Sequence, residues 1–243
     1  MSDDEPIERS ESGGPIYRHK ARDRDWTPPE SYCDHLKAIE AHLANYIAPV
    51  ENVFHEIVSD LVHLDVLIIP PAADRPFHVL VTSGMSDLPM TVPEGAERWR
   101  RAELLIALPA DWPLDDARLK DESNYWPIYW LKTLGRLPHE YRTWLGYGHS
   151  VPNGDPAEPI ADTKFAGVTL TLAEWLPDEF HMLEVGPDEG VCFYQMTPLY
   201  PDEMALKLKK GAEALDELFE KRGIDFVLDV DRPNVARKRF GLF

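Results

Sequence analysis

The fold is decided by two neighbouring segments, H-L-D-V-L-I-I-P-P at residues 63–71 and F-H-V-L-V-T-S-G at residues 77–84. Both are short, rich in branched aliphatic residues, and end at proline or glycine, which is the pattern of β-strands. Because their apolar positions do not alternate strictly with polar ones, we expect strands covered on both faces. Residues 102–108, closed by Pro109, repeat the pattern. These segments predict the centre of a buried sheet.

Helical patterns flank these strands along the chain. Apolar residues recur at helical spacing over residues 36–47, and a second amphipathic helix is predicted over residues 201–222. An aromatic block at residues 125–145 predicts two helical pieces broken at Gly135 and Pro138. Further strands are predicted at residues 53–58, 168–172, 180–185 and 191–196, the last two joined by a turn at residues 187–190.

Strands on both sides of a helical block imply an α+β fold, a mixed sheet with helices packed on it. Residues 1–30 mix both charge signs with glycine and proline and show no apolar period, which predicts a flexible N-terminal arm. No linker divides the rest, so we expect one domain over residues 31–243.

The 243-residue chain carries 43 acidic and 25 basic residues, a net charge of −18. Such a charge repels nucleic acid and anionic lipid, so we expect no nucleic acid and no membrane partner. It attracts a basic protein, or it serves only to keep the protein soluble. The charge is uneven, because residues 151–190 hold nine acidic residues and one lysine. A concentrated negative field favours steering of a partner.

The expected compartment is the cytoplasm. No run approaches the roughly 18 apolar residues of a membrane span, and the acidic N-terminus is unlike a signal peptide. Cys33 and Cys192 are the two cysteines, too few for a disulfide framework. We expect both thiols to be buried as small apolar groups.

His63 and Asp65 are the strongest candidates for chemistry, because residues two apart on a strand face the same way. They offer an oriented histidine or half of a metal site, and Ser83 or Ser86 would be the nucleophile of a hydrolase. No G-x-S-x-G elbow and no third ligand at metal-binding spacing accompany them. Phosphate-binding glycine loops are absent from the sequence as well. We therefore favour a structural role and expect no catalytic residue, no metal and no cofactor.

Six motifs in order resemble the suppressor-of-fused family. They are H-L-D-V-L-I-I-P-P (63–71), T-S-G-M-S-D-L-P-M (82–90), R-A-E-L-L-I-A-L-P-A-D-W (101–112), G-Y-G-H-S-V-P-N-G-D-P (146–156), T-K-F-A-G-V-T-L (163–170) and Y-Q-M-T-P-L-Y-P-D-E-M (194–204). The resemblance implies a mixed α/β domain without established catalysis. Animal relatives are two-domain regulators of Hedgehog signalling that grip a Gli peptide, and this chain resembles only their first domain. Stand-alone bacterial relatives include immunity proteins that neutralise secreted toxins, and the single-domain length points to that bacterial type.

The leading hypothesis is a protein-binding module, an immunity-type or regulatory protein that neutralises a partner, with a basic toxin as the favoured partner. Two regions are the candidate contact surfaces, the turn at residues 82–90 and the long loop at residues 146–162. The candidate residues are Thr82, Ser83, Gly84, Met85, Ser86 and Asp87 in the turn, and His149, Asn153, Gly154 and Asp155 in the loop. Two alternatives remain open, a hydrolase using His63, Asp65 and a serine of the turn, and a regulatory or scaffold protein.

Overall fold

A mixed β-sheet forms the centre of the computed structural model, which describes residues 8–20 and 23–237. Its strands, and a separate two-stranded ladder near the N-terminus, are β1 (Glu8–Arg9), β2 (Pro15–Ile16), β3 (Asn52–Phe54), β4 (Asp65–Ile69), β5 (Phe77–Ser83), β6 (Ala102–Pro109), β7 (Ser150–Pro152), β8 (Gly167–Thr171), β9 (Met182–Gly186) and β10 (Glu189–Leu199). In the described part of the chain, β3 to β10 make one sheet in the order β3-β4-β5-β6-β10-β8-β7, with β9 paired to β10. β6 and β10 are parallel and the other neighbours antiparallel, so the expected mixed sheet is confirmed.

Both faces of the central strands are covered, as their apolar runs predicted. Every residue of β4 is buried, and β6 is buried up to its last residue. Alternate side chains enter two different cores: Leu104 and Ile106 join one cluster and Leu105 joins the other. A strand buried on both faces has no polar face to present, which explains the absence of alternation in the sequence.

Helices cover the two faces of the sheet. They are α1 (Leu36–Tyr46), α2 (Glu122–Tyr141), α3 (Pro201–Lys210) and α4 (Ala212–Arg222). α1 packs through Ile39 and Leu43 into one core, and α2 packs through Trp126, Trp130 and Leu134 into the other. The observed architecture confirms the α+β class. Among the described residues no helix combines the length and the apolarity needed to cross a bilayer.

The predicted break in the aromatic block is wrong, because α2 is continuous from Glu122 to Tyr141 with Pro138 inside its last turn. Gly135 is not a break but a point of close approach. A Cβ atom built there would lie 3.0 Å from Cδ1 of Leu64. Burial of one helix face against the sheet therefore outweighs the local helix-breaking tendency of glycine and proline.

The predicted single helix over residues 201–222 is also wrong. Gly211 adopts φ 96°, a conformation that ordinary residues avoid, and divides the segment into α3 and α4. The strand predicted at residues 53–58 is shorter than expected, since β3 ends at Phe54 and residues 55–61 form a loop.

Within the predicted arm, residues 1–7, 21 and 22 lie outside the described residues, as do residues 238–243. The described residues of that segment contact the rest of the chain. Arg24 forms ion pairs with Asp60 (2.9 Å) and with Glu140. The backbone N–H of Leu61 donates to the carbonyl of Thr27 at 2.9 Å. These bonds fasten residues 24–27 beside the loop at residues 55–61.

Candidate functional site

His63 and Asp65, the pair indicated by the sequence, are in direct contact at the entry to β4. Nε2 of His63 lies 3.1 Å from Oδ1 of Asp65. The buried carboxylate of Asp65 also accepts the backbone N–H of Glu56 at 2.9 Å and lies 2.9 Å from Nδ1 of His55. Both oxygens of the Asp65 carboxylate therefore have partners within the protein.

Neither serine considered as a nucleophile bonds to this pair through its hydroxyl. Ser83 and Ser86 are completely buried. The Ser86 hydroxyl donates to Glu103 (2.7 Å), and the Ser83 hydroxyl has no hydrogen-bond partner in the described residues. The structure therefore does not assemble the predicted hydrolase arrangement.

A different serine, Ser59, contacts the histidine. Its oxygen lies 2.8 Å from Nδ1 of His63, so a hydroxyl, an imidazole and the Asp65 carboxylate follow one another. In serine hydrolases the carboxylate bonds Nδ1 and the nucleophile bonds Nε2, and the order here is reversed. Ser59 is also buried, with only 7% of the residue exposed. We interpret this chain of bonds as structural.

Cys33 completes the group around His63, and sequence reasoning missed it. Its Sγ, a ring nitrogen of His63 and a carboxylate oxygen of Asp65 all lie within 4.8 Å of one another. The thiol donates to the carbonyl of Ser83 at 3.3 Å, and burial raises its pKa to about 12. The prediction that both cysteines are buried is confirmed, since Cys192 is 2% exposed. Spacing along the chain gave no sign that Cys33 would meet the pair.

The turn at residues 82–87, predicted as a contact surface, is folded inwards around Glu103. The Thr82 hydroxyl donates to Oε2 at 2.5 Å, and Oε1 accepts the Gly84 N–H (3.0 Å), the Ser86 N–H (3.0 Å) and the Ser86 hydroxyl (2.7 Å). Thr82, Ser83, Met85 and Ser86 are all 0% exposed. Burial raises the pKa of Glu103, while the four donors act in the opposite direction. These side chains are therefore used inside the fold and are not presented to a partner in this conformation.

Asp87, at the end of the turn, holds the segment that carries Cys33. Its Oδ2 accepts the backbone N–H of Cys33 at 2.7 Å and the hydroxyl of Ser31 at 2.9 Å. Its Oδ1 accepts the backbone N–H of Asp34 at 3.0 Å. Three bonds to one carboxylate thus fix the backbone on both sides of the cysteine.

The second predicted contact region differs from the first because much of it is exposed. Gly154 and Asp155 are exposed, and Asp155 pairs with Arg18 of the N-terminal segment. The Asn153 amide donates to two carbonyls farther along the loop, at 3.1 and 2.9 Å, and so shapes it. His149 packs against the Trp144 ring at 4.3 Å between centroids, and burial lowers its pKa to about 4. Among the described residues, no hydrogen bond joins these loop residues to the turn at residues 82–87.

A cavity of about 240 Å³ lies near the start of the same loop, where Tyr147 lines its wall. Trp175 and Phe226 stack in it, with centroids 4.8 Å apart and planes within 11°. The Gln195 side chain locks both, because it accepts the Trp175 indole N–H at 2.8 Å and donates to the Phe226 carbonyl at 3.2 Å. The cavity therefore has rigid aromatic walls.

The rim of this cavity is acidic. Five carboxylates and one guanidinium line it: Glu174, Asp216, Glu220, Asp225 and Asp229, with Arg232. The Arg232 guanidinium is already paired with buried Glu203 at 2.6 and 2.8 Å. The Tyr147 hydroxyl donates to Asp216 at 2.6 Å. Burial, and then the charge of nearby Glu213, raise the pKa of Asp216. The surroundings therefore disfavour the ionised form of this carboxyl group.

We define this cavity and its rim as the acidic aromatic pocket. Sequence reasoning noted the local excess of acid at residues 151–190 but not the pocket, because the residues that line it come from six separate stretches of the chain between Ile106 and Arg232. An aromatic wall beside a cluster of carboxylates attracts positively charged groups by charge and by cation–π contact.

The fold and this pocket define the class of the protein, an α+β domain with a mixed central sheet and a concave pocket lined by acidic residues. The sequence model of the Suppressor of fused protein (SUFU) family matches residues 60–233. The chain belongs to the suppressor-of-fused family. No curated protein matches it in sequence.

Solved structures share this fold. A suppressor-of-fused homologue from Neisseria gonorrhoeae FA 1090 is 18% identical with a TM-score of 0.62, over 85% of this chain and all of that one. Sufu in the Sufu–Fu complex is 18% identical with a TM-score of 0.58, over 86% of this chain and 93% of that one. Drosophila Suppressor of Fused is 17% identical with a TM-score of 0.58, and the match spans 87% of this chain but 52% of that one.

Proposed function

We propose that this protein is a non-catalytic binding protein whose partner is a basic protein, and that the acidic aromatic pocket receives an arginine or lysine side chain of that partner. The carrying observation is the pocket itself, in which stacked Trp175 and Phe226 face a rim of five carboxylates. Crystallisation of one family member, Sufu, in complex with Fu supports a protein partner in general.

The charges of the rim favour an external cation. Glu174 and Glu220 are exposed, and their carboxylates form no hydrogen bond or ion pair with the described residues. Asp216 has one donor, the Tyr147 hydroxyl. A guanidinium that enters satisfies these carboxylates and stacks on the indole, a combination that makes arginine a frequent energetic anchor of interfaces. The net charge of −18 adds long-range attraction, which increases the rate of association.

We further propose that binding neutralises the partner, as in an immunity-type or regulatory protein of the cytoplasm, and that a basic toxin is the favoured partner. A toxin that acts on nucleic acid needs a basic surface to bind phosphates. An acidic domain that covers this surface blocks access to it. This part of the proposal rests on the family resemblance and the charge.

The pocket is tested with two matched small probes, N-acetyl-arginine amide and its uncharged analogue N-acetyl-citrulline amide. NMR reports the indole N–H of Trp175, which the variant Trp175→Phe assigns. We expect this signal to shift with the arginine probe, to shift much less with the citrulline probe, and to lose the response in 0.5 M salt. Equal responses to both probes, or no response to either, contradict a cation pocket.

The partner is tested by affinity capture from the native host at low and at physiological salt. The double variant Asp216→Asn, Glu220→Gln removes two charges from the rim, and the control Glu94→Gln, Glu122→Gln removes two exposed charges outside the cavity lining. We expect a basic protein that the wild type and the control retain and the rim variant loses. Co-expression then tests neutralisation: the wild type should protect cells from the captured protein and the rim variant should not. Recovery of no protein, or equal retention by all three, contradicts the proposal.

A further inference from the structure

We propose that Cys33, His63 and Asp65 form a binding site for a divalent transition-metal ion of the zinc type. Their ligand atoms lie within 4.8 Å of one another at the entry to β4. The sequence predicted no metal site, because spacing along the chain offered His63 and Asp65 as only two ligands. The inference is independent of the acidic aromatic pocket.

The donor set and the distances suit such an ion. A thiolate, an imidazole and a carboxylate are the three kinds of ligand that zinc sites use, with bonds of about 2.0–2.3 Å in a tetrahedron. Ligand atoms of a tetrahedral site are therefore roughly 3–4 Å apart. Nε2 of His63 and Oδ1 of Asp65 already lie at 3.1 Å, and the upper bound of 4.8 Å leaves the sulfur a small adjustment. When the metal binds, the Cys33 thiol releases its proton to solvent. The sulfur then gives up its hydrogen bond to the Ser83 carbonyl and forms a bond to the metal.

Outer contacts orient the two ligands at the entry to β4, His63 and Asp65. Metal-binding histidines usually bond a second group through the other ring nitrogen, and Nδ1 of His63 lies 2.8 Å from Oγ of Ser59. The Asp65 carboxylate is fixed by the backbone N–H of Glu56. His55 lies 2.9 Å from its Oδ2 and supports the carboxylate, and water would supply the fourth ligand. This is the shell of supporting bonds that tunes a metal site.

The third ligand is held by unusual backbone geometry. Cys33 adopts φ 57°, a left-handed conformation that is rare for residues other than glycine. Asp87 maintains it by accepting the N–H groups of Cys33 and Asp34. Gly84 leaves the necessary space, since a Cβ there would lie 1.9 Å from the carbonyl oxygen of His63 and 3.4 Å from the cysteine sulfur. Strain maintained in this way is typical of sites where side-chain position matters more than local stability.

The test uses the full chain, freed of metal with a chelator and titrated with Co²⁺ as a spectroscopic substitute for Zn²⁺. We expect one equivalent to bind, with a thiolate-to-cobalt charge-transfer band in the near ultraviolet that Zn²⁺ abolishes by displacement. Cys33→Ser should lose the band and weaken Co²⁺ binding by more than about 100-fold, since even outer-contact changes cost 10–100-fold. Cys192→Ser is the matched control, because Cys192 is a buried thiol that contacts Met182 outside this group. The control should keep both the band and the affinity.

Circular dichroism and urea unfolding of the metal-free variants establish that each is folded. If Cys33→Ser does not fold, His63→Gln replaces it and should weaken binding to the same extent. Zn²⁺ should also raise the unfolding midpoint of the wild type and not that of the ligand variants. The proposal is overturned if the wild type shows no thiolate band, or if the band survives Cys33→Ser or disappears in Cys192→Ser.

Discussion

Replacement of Glu103 should separate the cost of losing a buried acceptor from the cost of losing a buried charge. Its side chain is 0% exposed and receives four donors, three at Oε1 and one at Oε2. Alanine leaves all four without an acceptor. At about 1–3 kcal/mol for each unsatisfied buried donor, the loss is at least about 4 kcal/mol, a large part of the total stability of about 5–15 kcal/mol of a typical domain.

Glutamine at position 103 keeps the oxygen that serves the three donors and gives up the one that serves Thr82. It also removes a carboxylate whose pKa burial raises, so part of the loss is offset. We expect Glu103→Gln to cost about 1–2 kcal/mol. The difference between the two variants should therefore be at least about 2 kcal/mol.

The assay is urea unfolding at pH 7, followed by far-ultraviolet circular dichroism and extrapolated linearly to water. Glu94→Gln, at an exposed position, is the control and should leave the free energy of unfolding unchanged. The reasoning is refuted if alanine at position 103 costs no more than glutamine. That result would mean that solvent or a rearranged turn satisfies the donors.

Three other perturbations test other parts of the fold by the same unfolding assay. Arg232→Met leaves the carboxylate of Glu203, which is 0% exposed, without its cation, and should cost about 3–5 kcal/mol; a loss below about 1 kcal/mol would show that the pair adds little. Burial lowers the pKa of His139 and of His149 to about 4, so below their unfolded pKa of about 6.5 the unfolded state takes up protons first and stability falls. Each histidine should lower the free energy of unfolding by about 2 kcal/mol between pH 7.5 and pH 5. Replacement of either histidine by glutamine should remove that histidine's part of the pH dependence. An unchanged pH profile in both variants would contradict the assignment. Gly135→Ala should destabilise by about 1–2 kcal/mol despite the better helix propensity of alanine, because the new Cβ lies 3.0 Å from a leucine side chain; a more stable variant would show that the contact yields.

The centre of the fold was predictable because its determinants are local. Strands buried on both faces appear in the sequence as continuous apolar runs, and those at residues 77–83 and 102–109 were located to within one residue. The helices were predicted less well. Gly135 and Pro138 have the same local signature as Gly211, yet only Gly211 interrupts a helix. Packing against the sheet decides the difference, and no sequence window contains the partner strand.

In the candidate sites, too, contacts between residues close in sequence were predictable and contacts between distant residues were not. The contact of His63 with Asp65 was expected from a strand that begins at residue 63, but β4 begins at Asp65 and His63 meets the carboxylate from just before the strand. The approach of Cys33 depends on the buried turn that Asp87 holds in place. The turn at residues 82–87 has the composition of an exposed loop, and its burial follows from an acceptor, Glu103, on the neighbouring strand. Small polar residues therefore predict a turn correctly but do not predict whether it faces solvent or the interior.

Carboxylates in this protein fall into two groups that sequence cannot distinguish. Glu103 has four donors and Asp87 has three, all from the protein itself, so their bonding capacity is used in folding. Around the acidic aromatic pocket the balance is the reverse, since Asp216 has one donor and Glu220 has none among the described residues. Unfilled acceptors of like charge beside an aromatic wall repel one another, and an incoming cation relieves this repulsion in addition to forming its own contacts. The donor count thus indicates which part of the net charge of −18 is available to a partner.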